Sequence, residues 1–243
     1  MAAATIATVL FGLTLHAPAS AIVGDADATT AEFPWLAAIG TPLFLTRASG
    51  QFCGGALVAP DQVITTAHCV ALAQSLTQTL TVTFGRDDLR GSDGKTVHVK
   101  DIRMHPGFLA TVLDMTTAYR NDVAILTLDE PQPGPTITVA PPTSGNATIL
   151  GWGATSETDE TNTRLRAANV PLATDGECAT AYGPAFDPYT MLCAGTPTAD
   201  TAQYDSGGPI LVDGRLAGLT SWGVGAARPG FPTVYTRLTS PGF

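Results

Sequence analysis

Three short segments carry a serine, a histidine and an aspartate in contexts that suit nucleophilic catalysis. Ser206 lies in the glycine-rich segment Asp205–Pro209, His68 lies in Thr-Thr-Ala-His-Cys, and Asp122 precedes the apolar run Val-Ala-Ile-Leu. A serine hydroxyl is a weak nucleophile at neutral pH, so it needs an adjacent base and a third group that orients the base. These three side chains could supply all three parts.

Each of the three residues also has an ordinary structural interpretation. A histidine can be a surface or core residue, but His98 and His105, the other two histidines beyond residue 21, lack the flanking motif of His68. Asp122 could be a solvated turn residue before a strand. The apolar run that follows it favours a position at the start of a buried strand instead.

The first 21 residues have the pattern of a secretory leader. They carry no formal charge, contain the apolar run Thr8–Leu15, and end in the small residues Ala19-Ser20-Ala21. This pattern predicts a signal peptide at residues 1–21, cut before Ile22. The alternatives are a short buried helix and a membrane anchor, but the apolar run is too short to span a bilayer. We therefore expect a secreted protein.

Composition and charge restrict the class of protein further. The chain has 243 residues, of which 44% are hydrophobic and 14% are charged, which is typical of a globular protein with a sizeable core. The net charge of −9 argues against nucleic acid as a partner. Beyond the leader no segment resembles a membrane span, so we expect no membrane association after leader removal.

Short β-branched and apolar stretches recur between turn signals along the chain. They are punctuated by 25 glycines and 18 prolines, and few windows have apolar residues at helical spacing. This pattern predicts an all-β protein of barrels or sandwiches. The proline-rich stretch 130–135 indicates a linker, with residues 22–130 and 131–243 as the two halves of one domain. His68 and Asp122 precede the linker and Ser206 follows it, so the site would form between the halves.

From Ile22 to about Leu238 the chain resembles the trypsin/chymotrypsin family of serine proteases. The resemblance rests on the His68, Asp122 and Ser206 motifs in that chain order and on Ile22-Val23-Gly24 after the leader. It implies two six-stranded antiparallel β-barrels with the active site at their interface. Family members continue into a C-terminal helix, whereas this sequence stops at Phe243, so we expect a fold in which that helix is missing, either because the sequence is a fragment or because the protein is a shortened version.

The resemblance also implies a role for each site residue. Ser206 attacks the scissile carbonyl, His68 transfers the proton, and Asp122 orients His68 and stabilises its cation; these roles are carried over from the family's own mechanism. The backbone N–H groups of Tyr204 and Ser206 form the oxyanion hole. The α-amine of Ile22 pairs with Asp205, which shapes the oxyanion hole and the substrate pocket.

Further residues match the family's substrate-binding positions. Asp200, six residues before Ser206, lies at the base of the primary pocket, where a carboxylate favours Arg or Lys side chains; alternatively it is a solvated loop residue. Ser221-Trp222-Gly223 matches the strand that pairs with the substrate backbone. Thr233 stands where trypsin-type pockets have glycine, and its side chain would narrow the pocket.

The four cysteines suit an oxidising compartment and allow three pairings. No Cys-x-x-Cys spacing or cluster of histidine and cysteine supports metal binding instead. The resemblance selects the disulfides Cys53–Cys69 and Cys178–Cys193.

Two further features depart from the family pattern. A cysteine bridge beside the nucleophile is replaced by Ala202 and Ala226, so we expect a more mobile pocket rim. Tyr204 replaces the glycine whose amide donates to the oxyanion, and its side chain either strains that turn or lies over the cleft.

The sequence therefore predicts a secreted serine endopeptidase that forms an acyl-enzyme and cleaves after Arg or Lys. The alternatives are a catalytically impaired homologue that binds a partner through the same cleft, and a protease that prefers small apolar residues. We expect no cofactor and no metal. The expected partners are protein or peptide substrates and protein protease inhibitors, and the expected state is a monomer.

Overall fold

The computed structural model describes residues 22–23, 26–142 and 145–239 of the chain. The predicted signal peptide and the residues after Thr239 lie outside this part. Strands provide most of the regular structure, and they confirm the all-β prediction with two barrels. The strands are β1 (Ala26–Asp27), β2 (Leu36–Gly40), β3 (Gln51–Ala59), β4 (Gln62–Thr65), β5 (Thr81–Phe84), β6 (Lys95–Met104), β7 (Leu109–Val112), β8 (Thr117–Arg120), β9 (Ala124–Leu128), β10 (Asn146–Gly151), β11 (Arg166–Ala173), β12 (Met191–Ala194), β13 (Pro209–Val212), β14 (Arg215–Trp222) and β15 (Thr233–Arg237).

Helices are few and short in the described residues. The two α-helices are α1 (Ala67–Val70) and α2 (Asp175–Tyr182), and the 3-10 turns are Ala48–Gly50, Gln74–Thr79 and Gly183–Ala185. Helix α2 begins with a capping box, in which the Thr174 hydroxyl accepts from the Glu177 backbone N–H and the Glu177 carboxylate accepts from the Thr174 N–H. None of the described helices is long and apolar enough to cross a membrane.

The first barrel closes in the strand order β2-β3-β4-β9-β6-β5, and all of its pairings are antiparallel. Strand β6 shows how the sequence specifies its faces. Val97 and Val99 are buried, whereas Thr96, His98 and Lys100 are exposed, because successive side chains on a strand point to opposite faces. The buried side chains of this barrel form one large apolar cluster.

The second barrel has the order β11-β10-β13-β14-β15-β12 and closes through a pairing of β11 with β12. The short strand β1 pairs with β11, so that Ala26 lies opposite Ala167. Ile22 is fully buried in the apolar cluster of this barrel, beside residues such as Ile149 and Ile210. Ile22, Val23 and β1 therefore pack on the second barrel, although they precede the first barrel in the chain.

No strand occurs in the proline-rich stretch 130–135. Just after it, the Ile137 N–H donates to the Leu57 carbonyl and the Ala140 N–H donates to the Leu216 carbonyl. The connection thus contacts both barrels as it passes from one to the other.

The barrels approach closely where glycines face each other. The Gly54 N–H donates to the Ser206 carbonyl at 2.8 Å. A Cβ atom on Gly54 would lie 2.9 Å from the Cα of Gly208, a separation that heavy atoms do not tolerate. The absence of a side chain at Gly54 therefore lets the segment around Ser206 lie directly against the first barrel.

Candidate active site

His68 lies in the short helix α1, directly after β4. The Cys53–Cys69 disulfide joins this turn to β3, with 6.3 Å between the two Cα atoms. The Asp122 carboxylate binds the histidine twice: Oδ1 accepts from the His68 backbone N–H at 2.8 Å, and Oδ2 lies 2.7 Å from Nδ1 of the ring. These bonds fix both the backbone and the ring of His68. They favour the tautomer in which Nδ1 carries the proton and donates it to Asp122.

Asp122 is fully buried, two residues before the start of β9. Besides His68, its Oδ2 accepts from the Ser221 hydroxyl at 2.6 Å, and its backbone carbonyl accepts from the Thr236 hydroxyl at 2.9 Å. Burial of an unpaired carboxylate would be costly, but three donors satisfy this one. Since Ser221 and Thr236 belong to the second barrel, this aspartate of the first barrel is oriented by both.

The ring of Tyr119 stacks on the imidazole of His68, with 4.6 Å between the ring centroids and 10° between the planes. Burial, together with the charge of Asp122, raises the pKa of the Tyr119 phenol. Sequence analysis did not identify this residue. Its place three residues before Asp122, on β8, is a signal that could have drawn attention to it.

Ser206 lies in a tight turn in front of β13. The turn is formed by positive φ angles at Tyr204 (74°) and Gly207 (75°) and by a hydrogen bond from the Gly208 N–H to the Asp205 carbonyl. Ser206 and His68 both line a cleft with a volume of about 480 Å³. The structure thus brings the predicted serine, histidine and aspartate together.

Asp205 is almost completely buried behind the Ser206 turn. Its Oδ1 accepts from the Gly153 N–H at 2.8 Å, and its Oδ2 accepts from the Ala202 N–H at 3.0 Å. Val23 pairs with Asp200 through two backbone hydrogen bonds. Residues 22–23 consequently lie beside the segment that carries Asp200 and Asp205.

The Tyr204 side chain lies in a polar and aromatic cluster. Its ring lies beneath the Arg47 guanidinium, 4.2 Å from the ring centroid, and its hydroxyl donates to the Glu160 carboxylate at 2.8 Å. The hydrogen bond to Glu160 raises the pKa of the Tyr204 phenol. Its carbonyl accepts from the Gln51 amide at 2.9 Å. The tyrosine thus adopts a positive φ, as the sequence analysis considered, with its phenol held at the side of the cleft.

Asp200 has an exposed fraction of only 1%. Its Oδ1 accepts from the Thr201 N–H at 2.9 Å and its Oδ2 accepts from the Ala227 N–H at 3.2 Å. Burial raises the pKa of the Asp200 carboxyl to about 7. The Thr201 hydroxyl donates to the Thr233 hydroxyl at 3.2 Å. Both threonines line the cleft, whereas Asp200 lines a neighbouring cavity of about 710 Å³.

Ala202 and Ala226, which replace the expected cysteine bridge, both line the cleft. The loop of Ala226 is tied by Glu157, a residue that sequence analysis did not identify. Its Oε1 accepts from the Ala226 N–H at 3.1 Å and from Arg228 Nε at 2.6 Å, and its Oε2 accepts from Arg228 at 3.0 Å. Hydrogen bonds to Glu157 therefore hold the rim of the cleft at Ala226, where the expected disulfide is absent.

Ser221, Trp222 and Gly223 line the cleft at the end of β14. Trp222 is buried against Tyr182, whose ring centroid is 4.8 Å away, and the Tyr182 hydroxyl donates to the Pro232 carbonyl at 2.7 Å. The Gly223 carbonyl accepts from the Thr116 hydroxyl at 2.7 Å. A strand edge thus faces the cleft beside Ser206.

The second disulfide joins Cys178 of α2 to Cys193 of β12, with 6.1 Å between the Cα atoms. Both bridges have the pairing that the family resemblance implies. Within the described ranges, the one close group of potential metal ligands is Cys53, His68 and Cys69. Because the two sulfurs form a disulfide, they are not thiolate ligands.

Comparison with known proteins identifies relatives over nearly the whole described chain. The family model Trypsin matches residues 22–241. Trypsin of Saccharopolyspora erythraea is 40% identical over 227 residues, which cover 89% of this chain and 93% of the relative. Trypsin-1 of Astacus astacus is 36% identical, with 90% and 95% covered. A trypsin-like protease of Streptomyces glaucescens is 34% identical, with 93% and 81% covered.

Proposed function

Since the chain belongs to the trypsin family and is a trypsin-like serine endopeptidase, we propose that Ser206, His68 and Asp122 catalyse its hydrolysis of peptide bonds. The observation that supports this most directly is the pair of bonds from Asp122 to His68, in a cleft that Ser206 also lines. The arrangement provides a nucleophile, a base and a group that orients the base.

The reaction proceeds in two halves. The Ser206 Oγ attacks the scissile carbonyl carbon while His68 Nε2 accepts its proton, and the imidazolium then donates that proton to the leaving nitrogen. The C–N bond breaks, the amine leaves, and an ester to Ser206 remains. Water, deprotonated by His68, attacks the ester carbonyl, and the returned proton regenerates the Ser206 hydroxyl. Asp122 stabilises the imidazolium each time it forms.

The backbone supports an oxyanion hole at Tyr204 and Ser206. The Gln203 carbonyl accepts from the Ala154 N–H at 2.8 Å, so the peptide group between Gln203 and Tyr204 has its oxygen directed at buried Ala154. In a trans peptide the N–H points opposite to the C=O. The Tyr204 N–H is therefore directed away from Ala154, and we assign it with the Ser206 N–H as the oxyanion donors. Loss of one such donor typically costs about 3–4 kcal/mol in the barrier.

A fluorophosphonate tests this mechanism, because it reacts with an activated serine. We expect mass spectrometry of the digested protein to locate the adduct on Ser206. Labelling should be lost in Ser206→Ala and strongly slowed in His68→Ala. A folded protein that is not labelled, or a Ser206→Ala variant with unchanged turnover, would refute the mechanism and favour a homologue that only binds partners.

Cleavage after Arg or Lys is the specificity that the carboxylate of Asp200 supports. A side chain that reaches this buried group would exchange its hydration for a charge-assisted bond. The Thr201–Thr233 hydrogen bond, however, lies at the cleft side of Asp200. That contact favours a second candidate, a protease that accepts small side chains, because the two threonines then form the floor of the pocket.

Cleavage of a peptide library by the protein and by its Thr233→Gly variant separates these two candidates. The basic-residue proposal predicts cleavage after Arg and Lys by both proteins, with Thr233→Gly faster. The small-residue proposal predicts cleavage after residues such as Ala by the protein and a gain of Arg and Lys cleavage in the variant. Cleavage mainly after aromatic residues would contradict both.

We also propose that the Ile22 α-amine pairs with Asp205 once the leader has been removed. Full burial of Ile22 and the pairing of Val23 with Asp200 support this. Secretion, suggested by the leader, would place the enzyme with extracellular protein or peptide substrates and their inhibitors. N-terminal sequencing of the expressed protein tests whether the leader is removed before Ile22. Recovery of the protein from the medium tests secretion.

A further inference from the structure

The hairpin of β7 and β8 crosses the cleft from one barrel to the other. It ends one residue before Asn121, which is followed by Asp122, so its base belongs to the first barrel. Ala118 and Leu113 nevertheless pack in an apolar cluster with Trp222 and Phe186 of the second barrel. The hairpin is thus an arm that rests on the wall of the cleft opposite to its base.

At the tip of this arm, the Thr116 hydroxyl donates to the Gly223 carbonyl at 2.7 Å. The side chain is partly buried, and both residues line the cleft that contains His68 and Ser206. The bond therefore lies within the space that a peptide must enter to reach Ser206.

The Gly223 carbonyl is at a position where an extended substrate would need an acceptor. Peptides commonly bind by adding a strand to an available sheet edge, and Ser221–Gly223 is the edge that faces Ser206. On antiparallel strands, a step towards the N-terminus of one strand is opposite a step towards the C-terminus of the other. If the residue that acylates Ser206 lies opposite Ser221, then the residue two positions upstream lies opposite Gly223. The N–H of that third residue would compete with Thr116 for the Gly223 carbonyl.

We propose that Thr116 is a specificity-determining residue that restricts the acyl side of the cleft to two well-bound residues. This inference rests on the proposed function. A third residue gains its hydrogen bond to Gly223 only by displacing the Thr116 hydroxyl, so one bond replaces another and little affinity is added. The hydroxyl also occupies the volume through which a longer peptide would continue.

The test compares acyl segments of increasing length. The substrates are p-nitroanilides of acetyl-X, acetyl-Ala-X and acetyl-Ala-Ala-X, where X is the residue preferred in the library. Only the last brings the N–H of a third residue to Gly223. Thr116→Val keeps the side-chain shape and removes the donor, and Thr116→Ala also removes the bulk. Thr111→Val, an exposed position on the same hairpin, is the matched control.

We expect the third residue to raise kcat/KM of the wild-type protein less than threefold. In Thr116→Val the same extension should raise it roughly tenfold, which is the usual scale for one hydrogen bond gained without a competing loss. Thr116→Ala should show at least as large a gain, and Thr111→Val should follow the wild type. The two shorter substrates should differ little among the proteins.

A gain of tenfold or more in kcat/KM of the wild type that is unchanged in Thr116→Val would overturn the proposal.

A binding measurement keeps this test independent of turnover. Calorimetry with the free acids acetyl-Ala-X and acetyl-Ala-Ala-X is carried out on Ser206→Ala, with and without Thr116→Val. The third residue should add affinity only when Thr116 is replaced. If fluorophosphonate labelling fails while this difference appears, the catalytic proposal falls and the role of Thr116 stands.

Discussion

The Ser221 hydroxyl donates to the Asp122 carboxylate at 2.6 Å, on the same oxygen that faces His68. A residue of the substrate-binding strand thus helps to orient the group that orients the proposed base. A direct hydrogen bond therefore links the strand that is proposed to bind substrate with the residues that are proposed to transfer the proton.

Removal of this donor should impair turnover without unfolding the protein. In Ser221→Ala, Asp122 keeps its two bonds to His68 but can rotate more freely, and a hydrogen bond to a charged group is worth about 1.5–3 kcal/mol. We expect kcat/KM to fall about tenfold or more, measured with the preferred anilide substrate. Ser75→Ala, an exposed serine in the 3-10 turn Gln74–Thr79, is the control. Equal activity of the two variants would contradict the orienting role.

Tyr204→Gly should leave kcat within about threefold of the wild-type value, or raise it. Glycine adopts the φ of 74° without the cost that tyrosine bears, which is on the order of 1 kcal/mol. The loss of the contacts with Arg47 and Glu160 should lower the melting temperature. Tyr204→Phe retains the ring and removes only the hydroxyl bond to Glu160, so its kcat should be unchanged. A large fall in kcat with unchanged melting in either variant would indicate a catalytic role for the phenol.

Asp200 should make stability depend on pH between about 4 and 7. Its pKa is raised to about 7 by burial, whereas an unfolded aspartate titrates near about 3.9. Over this interval the folded state holds a proton that the unfolded state has lost, so stability falls as pH rises, by about 4 kcal/mol in total. It levels off above pH 7. Asp200→Asn should lack this component, and denaturant unfolding of both proteins at pH 4, 5.5, 7 and 8 measures it. Parallel pH curves for the two proteins would contradict the assignment.

Glu157 should support the pocket rim more than it supports the global fold. In Glu157→Gln the Ala226 N–H keeps an acceptor but the ionic contact with Arg228 is lost, and in Glu157→Ala both contacts are lost. We expect KM to rise several-fold in Glu157→Ala, and less in Glu157→Gln, while kcat changes little. Asp129→Asn, which removes an exposed charge elsewhere, is the control. An equal fall in kcat and kcat/KM would show that the rim contact acts in the transition state instead.

The pKa of Glu157 is lowered, chiefly by its hydrogen bond with Arg228. The stabilising effect of the ionised Glu157 is therefore fully present above the pKa that this carboxyl has in the unfolded chain. It is lost as the pH falls through the lower pKa of the folded state. The KM difference between Glu157→Gln and the wild type should accordingly disappear in acid, because a protonated Glu157 keeps an acceptor for the Ala226 N–H but loses the ionic contact with Arg228. A difference that persists there would exclude the ionised carboxylate as its cause.

A residue added ahead of Ile22 should abolish most activity. The extension would replace the α-amine with a peptide N–H, and Asp205 would lose the proposed cationic partner in a buried site, where an unpaired carboxylate is costly. Kinetics of the extended and exact N-termini, with the termini verified by mass spectrometry, provide the comparison. Full activity of the extended form would refute the pairing. Extension at the C-terminus is the control for added length.

The pattern of short strands predicted an all-β protein, and the resemblance carried by the local motifs around His68, Asp122 and Ser206 implied the two barrels and the grouping of these residues. Side-chain partners from distant segments were not predictable in the same way. Tyr119 stacks on His68 only after β7 and β8 pair, and the Thr201–Thr233 bond depends on the approach of two loops. Such contacts depend on the final packing of side chains, which residue types and spacing do not specify.

Tyr204 and Glu157 illustrate the same limit in two ways. The sequence showed that tyrosine replaces glycine, but the direction of its side chain depends on Arg47 and Glu160, which lie far away in the chain. Likewise, Ala202 and Ala226 indicated a missing bridge, and nothing near them in sequence pointed to Glu157. A substitution is visible in a sequence, whereas the contacts that compensate for it become visible only in three dimensions.

The close approach at Gly54 has a consequence for how the enzyme loses activity on heating. The Gly54 N–H of the first barrel binds the Ser206 carbonyl, while Ser221 and Thr236 of the second barrel bind Asp122. The first barrel thus binds Ser206, which the second barrel contributes to the reaction. The second barrel in turn binds Asp122, which the first barrel contributes. Separation of the barrels would displace nucleophile and base at once, so inactivation should coincide with loss of the inter-barrel contact, before either barrel has melted.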